Sequence, residues 1–185
     1  MSDDLERLDD ERRAAGELSD VGCQPEPVES VLVRVGAPSD SPTRSADRHI
    51  RVVASADDDL SDVADILRAT GRPAVEREIE QLRKQLLDSE ISLHIAYLGD
   101  VPASCGRLHY GATSGFAELA GGRSQPEFRR RGLYTDLVNS RLAEAFSASR
   151  SHVYVDALPT SEPILRRLNF RFVSRTHPFS YPPSN

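Results

Sequence analysis

No run of apolar residues in the 185-residue chain approaches the roughly 20 needed to cross a bilayer. Its start, MSDDLERLDDERR, is charged where a secretory leader needs an apolar stretch. Both absences point to a cytoplasmic protein with no membrane partner. Cysteine is nearly missing: Cys23 and Cys105 lie far apart with no paired spacing, which supports neither a disulfide framework nor a thiolate zinc site. The histidines His49, His94, His109, His152 and His177 never stand four residues apart on a helix, so no metal is expected. Lysine is almost absent as well, Lys84 being the one lysine among 23 basic residues. The chain's positive charge is therefore arginine.

What is present fits an ordinary globular protein. Hydrophobic residues make up 38% and charged residues 28%, enough for one domain with a real core and a short extra segment. The formal net charge of -6 is unevenly spread: residues 1–90 carry 22 acidic and 12 basic side chains, residues 91–185 carry 7 and 11. The second half suits a negatively charged ligand.

Along the chain, residues 2–18 read as a charged helix and VESVLVRVG (Val28 to Gly36) as a strand. APSDSPTRSADR (Ala37 to Arg48) has no periodicity and reads as a linker. The expected division is an N-terminal helix and strand over 1–36, a linker over 37–48 and a main domain over 49–185. HIRVVAS is strand-like, and the acidic ADDD after it suits a helix N-terminus. Leu60, Val63 and Leu67, then Val75, Ile79, Leu82 and Leu86, mark two amphipathic helices with a break at Gly71. From Ile91 the period changes to two, and three strands follow as an antiparallel meander ending in FAELA. Gly121-Gly122 there signals a bulge or a close approach to the backbone. Leu133, Leu137, Val138, Leu142 and Ala145 form a helix stripe, HVYVDA a buried strand, Ser161 a plausible N-cap of a short helix, and FRFVSRTHPF a last strand.

Three consecutive arginines, Arg129 to Arg131, precede Gly132 where that stripe begins. The N–H groups of a helix N-terminus attract anions, phosphate especially. Arginine adds bidentate contacts, and glycine lets the phosphate approach the main chain. Taken alone, the stretch reads first as a solvated basic patch and only second as a phosphate site; context has to decide.

The element order and the string QPEFRRRGLYTDLV resemble the GCN5-related N-acetyltransferase superfamily, in which an Arg/Gln-x-x-Gly-x-Gly/Ala loop grips the pyrophosphate of acetyl-coenzyme A. Arg129, Gly132 and Tyr134 fall on that pattern, and SEPILRRLNF is similar to the second signature of the family. The resemblance covers roughly residues 49–181. It implies an α/β (α+β) acyl-CoA N-acyltransferase fold, with a central mixed, mostly antiparallel sheet and helices on both faces. It implies acetyl-CoA as acyl donor and an amine acceptor that is a small molecule or a peptide; a nucleic-acid partner, suggested only by Arg129 to Arg131, is not expected, because aromatic interleaving is missing and the chain is acidic overall. The alternative is a coenzyme A-binding protein without catalysis. Cofactor contacts are expected from Ser124, Arg129, Arg130, Arg131, Gly132, Leu133, Tyr134 and Thr135. Tyr134 departs from the usual Gly or Ala, Leu165 stands where many members carry the tyrosine that protonates the leaving thiolate, and Asn169 replaces a glycine.

Glu118, in GFAELA, is the one acidic residue between Asp100 and Glu127. Its spacing to Arg129 is similar to that of the base glutamate in the histone-acetylating branch of the family, which implies a general base whose pKa desolvation raises. A solvent-facing glutamate or an ion-pair partner of Arg107 or Arg123 fits the residues as well. The first segment is similar to the helix and strand that close one repeat in two-repeat members. Val31 to Val35 is expected to fill or cover the sheet edge left open by a chain that ends soon after its last strand, in the same molecule or across a homodimer.

Overall fold

The computed structural model describes residues 18–36, 46–111 and 115–181. The helix expected over 2–18, most of the linker and the tip of GATSG lie outside the described residues. In chain order the elements are β1 (Gln24–Pro25), β2 (Glu29–Val35), β3 (Arg48–Val53), α1 (Ser61–Ala69), α2 (Val75–Leu87), β4 (Ile91–Leu98), β5 (Val101–Tyr110) and β6 (Phe116–Ser124). A 3-10 turn (Pro126–Phe128) leads to α3 (Leu133–Ser147), β7 (His152–Ala157), α4 (Glu162–Arg167), β8 (Arg171–Thr176) and β9 (Phe179–Ser180). Seven strands form one sheet in the order β3-β4-β5-β6-β7-β2-β8, while β1 and β9 pair separately. Within the seven, β6 and β7 run parallel and every other neighbouring pair is antiparallel.

The helices sit where their apolar stripes require. Val63, Ile66 and Leu67 of α1 and Val75, Leu82 and Leu86 of α2 are buried with Leu93, Ile95 and Cys105 on one face of the sheet. Val138, Leu142 and Ala145 of α3 and Leu165 of α4 are buried with Leu108, Leu119, Val153 and Leu32 on the other. Asp59 ties the start of α1 by accepting the Ser61 N–H at 2.9 Å, so the acidic stretch does lie at a helix N-terminus. Ser161 is the N-cap residue of α4 as expected, but its hydroxyl donates to the Leu158 carbonyl at 3.1 Å and makes no cap bond.

The valine-rich strand does more than cover an edge. β7 and β8 are both antiparallel to β2, hence parallel to each other, and the crossover through α4 skips one position. β2 of the same chain occupies that slot, with Leu32 fully buried. Two-sided pairing explains why the stretch is so rich in valine.

Candidate active site

β6 does not end at its glycines. Cys105 pairs with Arg123 and Arg107 with Ala120, so Gly106 faces two residues, Gly121 and Gly122. This is a bulge, and Gly121 takes the left-handed conformation it requires, with φ +59. The parallel pairing with β7 covers only Phe116, Ala117 and Glu118. Beyond Glu118 the two strands part, and a wedge opens between residues 119–124 and the end of β7. Glu118 sits at its vertex.

On the α3 face the bulge is backed by two side chains. A Cβ on Gly122 would lie 2.9 Å from the Tyr134 ring, and one on Gly106 would lie 2.7 Å from Nη1 of Arg141, so both glycines are needed for contact. Arg141 is buried to 1% exposure. It donates to the carbonyls of Leu137 at 3.1 Å, Arg107 at 3.2 Å and Ala120 at 3.4 Å. Burial pushes its guanidinium below the ordinary value. Because the peptide after Ala120 is trans, holding that carbonyl turns the Gly121 N–H away from Arg141.

The arginine loop joins the bulged strand to α3. Arg130 and Gly132 have φ of +60 and +81, a pattern in which successive N–H groups converge on an anion site. The first intrahelical bond runs from the Asp136 N–H to the Gly132 carbonyl at 3.0 Å, so the N–H groups of residues 133–135 precede the helical ladder. Arg129 is exposed, its Nε 3.4 Å from the Ser124 carbonyl. Arg131 lies over the Phe128 ring at 5.9 Å. The Ser124 hydroxyl is 2.7 Å from that of Ser104, and Leu133 is buried while Thr135 is half-buried. Arg48 of β3 pins the loop from behind, donating to the Arg131 carbonyl at 2.8 Å and pairing with Asp136 at 3.2 Å. A Cβ on Gly132 would come within 2.1 Å of the Arg48 guanidinium.

Strand alternation places Glu118 on the α1/α2 face, opposite His109 and beside Tyr154. Tyr154 donates to Oε2 of Glu118 at 3.2 Å, and burial followed by the nearby carboxylate raises its phenol above the ordinary value. The Glu118 partner is thus a tyrosine, and neither Arg107 nor Arg123. Cys105 is buried and its thiol is pushed up to about 12, chiefly by that burial, which removes it as a nucleophile. Leu165 is fully buried in the core beside Leu119 and Val155 and has no proton to give. Asn169 takes φ +63, the left-handed conformation its glycine counterpart would take.

Arg48, Arg141 and Tyr154 are absent from the residues expected at the site. Arg141 carried a signal, since it falls between Val138 and Ala145 on the buried stripe of α3 at helical spacing. Tyr154 alternates with the buried Val153 and Val155, which gives its face but not its partner. Arg48 meets the loop across 83 positions, beyond the reach of any local pattern. Among the described residues no group of three His, Cys, Asp or Glu side chains is arranged to hold a metal, and no helix is long and apolar enough to cross a membrane.

No protein-family model matches the chain, and no curated protein matches it by sequence. Solved structures do match it. It is similar to a GCN5-related N-acetyltransferase from Kribbella flavida at TM-score 0.66 and 18% identity, covering 92% of this chain and 64% of that one. It is also similar to a tandem protein of the same fold from the clavulanic acid biosynthesis pathway, at TM-score 0.65 and 14% identity, with 93% and 59% covered. A third likeness is to a predicted acetyltransferase from Clostridium acetobutylicum solved with acetyl-CoA, at TM-score 0.54 and 12% identity, with 67% and 90% covered. The chain thus spans less than two thirds of the first two of these proteins. With the bulged, parted strand and the arginine loop leading into α3, these likenesses show that the chain has the fold of the GCN5-related N-acetyltransferases.

Proposed function

We propose that the protein transfers the acetyl group of acetyl-CoA to an amine, with the acyl donor lying in the wedge between β6 and β7. One observation carries this reading: the wedge, the bulge and the arginine loop are continuous along one strand, so a thioester and a pyrophosphate are met in sequence. The amides of residues 130–135 and the side chains of Arg129 and Arg131 bind the pyrophosphate, and Ser124 lines its approach. Glu118, oriented by Tyr154, accepts the proton of the attacking amine. An alkylamine has a pKa near 10.4 and must be neutral to attack, which is why a base is needed. As the C–N bond forms, an outward-turned N–H of the bulge stabilises the charge on the thioester oxygen. The C–S bond then breaks and the thiolate takes a proton from water, the usual tyrosine position being the buried Leu165.

A second reading, a coenzyme A-binding protein without catalysis, is favoured by that same leucine. Thiol release from acetyl-CoA across an amine panel separates the two. The transfer reading expects release with at least one amine. It further expects Glu118→Gln to slow turnover about 10²-fold or more near neutral pH, recovering as pH approaches the amine pKa, with acetyl-CoA affinity unchanged. Acetyl-CoA binding without release for any amine supports the second reading, and an intact rate and pH profile removes Glu118 from the mechanism.

A further inference from the structure

The α1/α2 face of the bulge is basic in a way the acyl donor does not use. Cys105 belongs to the core under α1 and α2, and both Arg123, its cross-strand partner, and Arg107, two residues on, share that face. Arg107 lies along the bulge, its Nε 3.7 Å from where a Cβ on Gly121 would sit. Arg72, in the connection between α1 and α2, is near enough to act electrostatically on Arg123 and is held by Glu78 at 2.9 Å. Gly121 and Gly122 are exposed, and Arg107 and Arg123 are half-buried. Burial lowers the Arg123 guanidinium below its ordinary value, and the neighbouring Arg72 and then Arg107 add to the depression, while Glu78 opposes it.

The carboxylates around this face are already engaged, Glu78 by Arg72 and Glu118 by Tyr154. Among the described residues, Arg107 and Arg123 have no carboxylate within ion-pair distance. Half-buried guanidinium groups that repel one another cost free energy unless an anion joins them. Ala120, opposite Arg107, is two residues from Glu118, about 7 Å along the strand. An amine at Glu118 and an anionic group at Arg107 therefore fit one small molecule.

We propose that the acceptor amine carries an anionic group, a carboxylate or a phosphate, bound by Arg107 and Arg123 with Arg72 closing the site from the connection between α1 and α2. The assignment to an acceptor rests on the acetyl-transfer reading above; the anion site itself does not. The probes are O-phosphoethanolamine against ethanolamine and glutamate against its dimethyl ester, each pair sharing an amine and differing in charge.

The first measurement is titration of the nitrogen-15-labelled protein, following the arginine Nε–H signals that disappear in Arg107→Gln and Arg123→Gln. At least one anionic probe is expected to shift those signals and its counterpart lacking the anionic group to leave them in place; which probe does so separates phosphate from carboxylate. In turnover, the KM of the anionic amine should be lower by on the order of tenfold, a difference that Arg107→Gln or Arg123→Gln abolishes. Failure of both anionic probes to shift the signals, or equal shifts from the members with and without the anionic group, overturns the proposal. Anion-specific shifts in a protein that binds no acetyl-CoA would sink the transfer reading and leave the anion site standing.

Discussion

Arg141 is a buried guanidinium held by three carbonyl oxygens, with Nη2 lacking a hydrogen-bond partner among the described residues. Its nearest charged assembly on the same face is His94, Glu144 and Tyr110. His94, fully buried, meets Oε2 of Glu144 through Nε2 at 2.9 Å and the Ser140 hydroxyl through Nδ1 at 2.9 Å, while Tyr110 donates to the other Glu144 oxygen. Burial pushes His94 below its ordinary 6.5, outweighing the pull of Glu144, and Arg141 adds to the lowering. Burial alone would raise Glu144, but the hydrogen bonds from His94 and Tyr110 prevail and hold it at about 2, against an ordinary 4.5. Both folded-state values lie below the unfolded ones, so the unfolded chain binds more protons in the intervening ranges and stability falls as pH falls. The expected profile of urea midpoints is a decline setting in below 6.5 through His94, and a further one between 4.5 and about 2 through Glu144. Glu144→Gln should flatten the lower segment. Wild-type and variant midpoints falling in parallel down to about pH 3 would contradict this account.

At the scale of elements, β2 is the piece on which the sheet depends. Leu32 is fully buried beneath α4 and pairs with Val155 and Phe172 on either side. Leu32→Ala should cost about 2–5 kcal/mol in chemical denaturation; a loss below about 1 kcal/mol would mean that β2 is not seated in the core. The helices and the meander were legible because the burial pattern of each repeats within a few residues: Leu82 and Leu86 in α2, or the unbroken apolar face of β4. Two features were not. Gly121 and Gly122 did signal the bulge, but β6 reads as ending at Ala120 because glycine weakens a strand pattern, and its continuation through the bulge to Ser124 was not legible. The slot for β2 arises from the crossover between β7 and β8, a property of topology that no local period encodes. The arginine loop could be placed at a helix start from residues alone, but Arg48 behind it and Tyr154 beside Glu118 depend on strands brought together from distant parts of the chain.

For the whole molecule, the charge asymmetry of the sequence becomes spatial. The acidic first half supplies the solvated faces of α1 and α2, where Glu76, Glu78 and Glu80 pair with Arg68, Arg72 and Lys84. The basic second half supplies the loop and most of the bulge. A chain of net charge -6 can in this way present a local positive surface to an anionic ligand without becoming a general polyanion binder. Calorimetric titration of acetyl-CoA decides whether the arginine loop and the α3 N-terminus bind the acyl donor, as proposed. One site per chain is expected in the wild type, and no detectable heat of binding in a variant combining Arg129→Glu and Gly132→Glu whose melting temperature confirms that it is folded. A wild-type protein that takes up no acetyl-CoA, or a folded variant that binds it as tightly as the wild type, would rule out this loop as the pyrophosphate site.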